Sequence, residues 1–61
     1  MRLRKITIKD EGLIKVLIVD DDKKEGKLVA WVTATTDDEA QAEAKDVAEA
    51  IMRNGKELVW N

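Results

Sequence analysis

Three runs of alternating apolar and polar residues occupy positions 3–35, separated by polar turns that end in glycine. A period of two constrains such runs to strands with one buried face each. Over residues 3–9, Ile6 and Ile8 share one face, and Lys5, Thr7 and Lys9 share the other. Asp10-Glu11-Gly12 then fits a three-residue type I turn closed by a G1 bulge, with Gly12 supplying the positive φ. Over 13–20, Ile14, Val16 and Ile18 lie on one parity. With Glu11 at the centre of the turn, Ile8 faces Ile14 and Ile6 faces Val16, so the apolar sets meet without a slip. A polar loop from Asp20 to Gly26 leads to a third strand over 27–35. Leu28, Ala30, Val32 and Ala34 share one of its faces, and Val29, Trp31 and Thr33 the other.

The periodicity changes at Thr36-Asp37-Asp38-Glu39, which matches a capping box: a hydroxyl for the orphan amides and a glutamate three residues on. The three acids also suit the positive end of the helix dipole. The helix is expected to run to about Asn54, with Gly55 as its C′ residue. Ala40, Ala44, Val47 and Ile51 form its expected buried stripe, flanked by Ala48 and Met52. The stripe is narrow and made of small residues, so the helix can approach a sheet closely. Glu49 and Arg53 are spaced for a favourable i,i+4 pair. Lys56–Trp60 reads as a short last strand.

The predicted architecture is α+β: a β-β-β-α-β order forming a four-stranded mixed sheet with one helix packed on one face. The first three strands make an antiparallel meander. A right-handed crossover through the helix returns the fourth strand parallel to the first. The order 4-1-2-3 is favoured over placement beside strand 3, because it lays the helix across the middle of the sheet. Residues 1–61 are expected to form a single domain, without repeat or linker.

The residue types narrow the chemistry. The chain has no cysteine, histidine, proline, phenylalanine, tyrosine or serine. No Ser, Cys or His nucleophile system can be assembled, and a secreted disulfide scaffold is excluded. A 61-residue chain buries only ~60% of its unfolded surface, so its core is small. With neither disulfide nor metal-binding His/Cys set, stability must come from regular structure, dense packing or self-association. Charge is mixed, 13 acidic against 11 basic residues, which reads as a solvated surface rather than a nucleic-acid or membrane binder. No apolar run approaches the ~20 residues needed to cross a bilayer. The start, Met-Arg-Leu-Arg-Lys, leads into alternation rather than an apolar leader segment, so a cytoplasmic setting is the default expectation.

Three polar groupings have residue types that could carry chemistry. Asp20, Asp21, Asp22 and Glu25 are the best metal candidate, but Lys23 and Lys24 interrupt them and no bidentate glutamate follows at calcium-loop spacing. A solvated loop is the expected reading. Asp10, Glu11 and the helix acids show no sign of the opposed environments that a catalytic carboxylate pair needs. Arg2, Arg4, Lys5, Lys9 and Lys15 gather on the first hairpin, where only Trp31 could supply base stacking. Solubilising charge that complements the acidic helix is the expected role. Gly12, Gly26 and Gly55 are isolated turn residues and form no phosphate loop.

The face opposite the helix is harder to explain. Leu3, Leu17, Val19, Val29 and Trp31 fall on it, interleaved with Lys5, Lys15, Thr7 and Thr33. Contiguous apolar surface of a few hundred Å² commonly marks an interface. Three coverings are open at this point: lysine stems lying over the apolar groups, a second copy of the chain, or a foreign ligand.

Two resemblances follow from these residues. Thr35-Thr36-Asp37-Asp38 leading into the helix, with Glu57-Leu58-Val59-Trp60 after it, is similar in topology to the opening half of the ribonuclease H-like fold. That family handles nucleic acid with metal-bound carboxylates from strand 1, the helix and the end of strand 4. Asp10 matches the first position. Gln41 stands near the helix position and Asn61 where the last acid is expected, so the likeness implies architecture and not nuclease activity. HicB-type antitoxins use a similar small β-β-β-α-β domain for protein contact, with a Pro- and Gly-rich stretch that this chain lacks. Across all 61 residues the chain also resembles idealised de novo designed α/β mini-proteins. Its Lys/Glu/Asp surface, Ile/Val/Leu/Ala core positions, capping box and turn-only glycines are what design rules prescribe.

The leading expectation is a structural scaffold of designed type, not an enzyme, requiring no cofactor, metal, nucleic acid, membrane or partner. The alternative is a small protein-interaction module that forms a homodimer or binds a partner through the face around Trp31.

Overall fold

The computed structural model describes residues 2–22 and 25–52. Strands β1 (Leu3–Asp10), β2 (Leu13–Asp20) and β3 (Lys27–Ala34) precede helix α1 (Asp37–Ile51). The strands form an antiparallel meander in the order β1-β2-β3, with β2 in the centre. The α+β class and the meander are therefore as expected, but the sheet is three-stranded among the described residues. This corrects the four-stranded sheet of order 4-1-2-3. The residues given to a fourth strand, Lys56–Trp60, lie outside the described ones. Their apolar members, Leu58, Val59 and Trp60, are consecutive, so the sequence has no alternation there to fix a pairing.

The first turn also corrects the expected register. Glu11 (φ 47°) and Gly12 (φ 81°) are both left-handed. Two central residues of positive φ make a type I′ turn, whose twist matches that of the flanking strands. The loop is thus two residues long, and Asp10 pairs with Leu13 rather than belonging to the turn. Lys9 faces Ile14, Ile8 faces Lys15, Thr7 faces Val16 and Ile6 faces Leu17. A slip of one residue moves every side chain of a strand to the opposite face. Leu3, expected on the open face, is fully buried under the helix at 0% exposure. Ile6 and Ile8, expected beneath the helix, are instead 37% and 42% exposed. Glutamate in the left-handed region costs about 1 kcal/mol, a penalty the favourable twist of the I′ turn offsets.

The helix begins as the sequence predicts. Thr36 has extended backbone, and its Oγ1 accepts a hydrogen bond from the Glu39 amide at 3.2 Å. Asp37, Asp38 and Glu39 occupy the first turn. The helix ends at Ile51, earlier than expected. Met52 is its C-cap, and its amide closes the last turn on the Ala48 carbonyl at 3.0 Å. Arg53 and Gly55, expected to pair with Glu49 and to cap the helix, lie outside the described residues.

The helix packs across β2 and β3. Ala40, Ala44 and Ala48, spaced by one turn, are fully buried, and Met52 continues the line. Val47 and Ile51 are half-buried on its flank, so the stripe is rotated slightly from the one expected. These side chains meet Leu3, Val16 and Ile18 at the centre of the core, with Ile14, Ala30, Val32 and Ala34 around them. Alanine at the contact line is what permits close approach of helix to sheet.

The second turn is fastened to the start of β1. Asp21 donates its amide to the Arg2 carbonyl at 2.8 Å. The Arg2 amide donates to the Asp22 carboxylate at 3.1 Å, and the Asp22 amide to Asp20 Oδ1 at 2.9 Å. Arg4 Nε donates to both carboxylate oxygens of Asp21, at 3.2 and 3.1 Å. A bulge between Ile18 and Val19 pairs Val19 with Leu28 instead of Val29. Beside it Gly26 has φ 73°, and a Cβ there would sit 3.1 Å from Val19 Cγ1.

Three outcomes are expected. Proton NMR shows cross-strand contacts between Lys9 and Ile14 and between Thr7 and Val16; contacts between Ile8 and Ile14 would refute the I′ register. Ala44→Leu lowers stability by about 1–3 kcal/mol in thermal melts despite the more apolar side chain, because it wedges the helix from the sheet. Gly26→Ala costs more than Gly12→Ala: both need a left-handed backbone, worth about 1 kcal/mol, but nothing lies within 4 Å of a Cβ at Gly12. Equal melting shifts for the two glycine variants would contradict the steric part of this account.

Candidate functional site

The register sorts the sheet into two unlike faces. On the helix side, rows running β1-β2-β3 are Lys5–Ile18–Ala30, Thr7–Val16–Val32 and Lys9–Ile14–Ala34. Their β1 members are polar, and Gln41 of α1 reaches over to two of them. Gln41 Oε1 accepts from Lys5 Nζ at 2.9 Å, while its Nε2 donates to Thr7 Oγ1 at 3.0 Å and to Asp37 Oδ1 at 3.3 Å. This amide link was missed in the sequence, because the expected register put Ile6 and Ile8 where Lys5 and Thr7 stand.

On the open side the rows are Arg4–Val19–Leu28, Ile6–Leu17–Trp31 and Ile8–Lys15–Thr33. The middle row is apolar across the whole width of the sheet. Trp31 is 60% exposed at its β3 end, and Leu17 is half-buried at its centre. Leu28 and Val29 are exposed beside the bulge, and Val19 is buried there. At the hairpin end, Ile8, Asp10, Leu13, Lys15 and Thr33 surround a shallow dip of about 150 Å³.

Of the residues predicted for this face, the structure brings Leu17, Val19 and Trp31 together, with Val29 next to the bulge. Leu3 belongs to the core beneath the helix instead. Ile6, Ile8 and Leu13 join the face, and the signal that could have found them is the Glu11-Gly12 pair read as a two-residue turn. The lysine cover also changes. Lys5 is drawn to Gln41 on the other side of the sheet, which leaves Lys15 between Ile8 and Thr33 on the open side.

The polar groupings have local partners. Asp20, Asp21 and Asp22 each accept a hydrogen bond within the second turn or from the start of β1. Among the described residues, no three Asp, Glu, His or Cys side chains converge in a way that could hold a metal ion. The cations of the first hairpin are divided: Arg4 and Lys15 on the open face, Lys5 and Lys9 on the helix side. Asp10 lies on the open face while Gln41 lies over the helix side, so the structure does not bring these two positions together. Among the described residues no helix is long and apolar enough to cross a membrane.

No protein-family model, curated protein or solved structure matches this chain.

Proposed function

We propose that this chain is a small protein-interaction module whose working surface is the open sheet face around Trp31. The observation that carries the reading is the uncovered apolar row Ile6–Leu17–Trp31, extended by Ile8, Leu13 and Val29. A solvated antiparallel sheet normally alternates apolar-in with polar-out. Here the outward set is largely apolar, and a patch of this kind is typical of a contact surface.

Magnitudes set the strength of contact to expect. Covering a few hundred Å² of apolar surface at ~25 cal/mol per Å² contributes on the order of 5–10 kcal/mol. Lost translational and rotational freedom costs about 4–15 kcal/mol. The balance favours weak, reversible association over a permanent complex.

The second reading is a structural scaffold, of the designed type the sequence resembles, with no binding role. It draws support from the second turn, where Asp21 and Asp22 hold the loop to the start of β1 through Arg4 and the Arg2 amide, and Asp20 accepts from Asp22 within the turn.

Binding of the apolar dye anilinonaphthalene sulfonate separates the two. The dilute, folded protein is expected to enhance and blue-shift the dye's emission. A variant carrying Ile6→Thr, Ile8→Lys and Trp31→Lys is expected to return it to background with far-UV dichroism unchanged. Background emission from the folded wild type would remove the interaction reading and leave the scaffold.

A further inference from the structure

We infer that the open face is covered by a second copy of this chain, sheet stacked on sheet with both helices outside. The inference rests on the interaction reading above and names its occupant. Three observations support it.

The first is the register. In the observed pairing Ile6 and Ile8 point away from the helix while Lys5 and Thr7 lie on its side. The opposite parity would turn the two isoleucines inward but would expel Leu3 from the core, so the observed register leaves both isoleucines on the open face. A second sheet over the open face buries them in the register that the I′ turn dictates.

The second is size. Each strand has eight residues. At ~3.4 Å per residue and ~4.8 Å between strands, the face measures about 27 by 14 Å. Two such faces amount to about 760 Å² in total, below the ~1,200 Å² of stable specific interfaces and in the range of a weak, transient dimer. An isologous contact matches the two outlines by construction.

The third is charge. Among the described residues placed on or beside this face, Arg4 and Lys15 stand against Asp10 and Asp21, and Arg4 is already paired with Asp21. These four groups balance, two of each sign. Their positions also select the orientation. A two-fold axis parallel to the strands would set Lys15 against the other copy's Lys15. An axis across the strands, at the Thr7–Val16–Val32 row, lays the Arg4 end of each face over the Asp10 end of the other. The middle row of one copy then covers the dip of the other. We therefore assign the crosswise axis.

Sedimentation equilibrium from about 1 µM to about 1 mM tests the inference. The wild type is expected to pass from the mass of one chain to that of two and to stop there. Dye emission per chain falls in step as the face is covered. Trp31→Lys and Ile8→Lys, each checked for folding by dichroism, are expected to raise the dimerisation midpoint at least about tenfold, since each buries an unpaired charge. A single-chain mass for the wild type at the highest concentration overturns the second copy as occupant. If the dilute protein still binds dye, the interaction reading survives with a different protein on the face; if it does not, both fall. A mass that climbs beyond two chains overturns the closed two-fold arrangement, and an unchanged midpoint in both folded variants overturns the face as the contact.

Discussion

The backbone at Glu11 and Gly12 determines which side of β1 meets the helix, and both faces of the sheet depend on that choice. With two left-handed residues at the turn, the odd-numbered residues of β1 share a side with the even-numbered residues of β2. Leu3 then enters the core and Lys5 and Thr7 meet Gln41. Ile6 and Ile8 complete an apolar row with Leu17 and Trp31. The open face is therefore a consequence of a turn type, and the turn is specified by only two residues.

Most of the secondary structure was legible because each signal was local. Alternation marked the three strands, and the Thr36 hydroxyl marked the helix start at the residue where it is found. The face of each strand relative to its neighbour was harder to read. Asp10-Glu11-Gly12 admits a three-residue and a two-residue turn, and glutamate is a poor guide because it disfavours the left-handed region that the second requires. Alternation gave misleading support, since pairing Ile8 with Ile14 joins like with like. The candidate face was consequently legible on β2 and β3, at Leu17, Val19, Val29 and Trp31, and misread on β1, where Leu3 was included and Ile6 and Ile8 were left out.

The helix stripe follows the same logic of proximity. Ala40, Ala44 and Ala48 are buried where the helix comes near β2 and β3, and their methyl groups suit a close approach. Val47 and Ile51, which periodicity ranked with them, are displaced to the flank, where there is room for branched side chains. Size therefore determined which apolar residues lie at the centre of the contact.

The amide of Gln41 has a consequence for how the fold opens. The apolar grip of the helix falls on β2 and β3, whereas β1 is held from above by Leu3 at one end and by hydrogen bonds to Lys5 and Thr7 further along. Hydrogen bonds at a partly exposed surface exchange readily with water and contribute little net stability, about 1 kcal/mol each. Among the described residues, the start of β1 is pinned to the second turn by Arg2 and Arg4, and its remainder is secured mainly by its ladder to β2. Local opening is expected to begin with β1 peeling from that ladder while β2, β3 and the helix stay together as one cooperative unit.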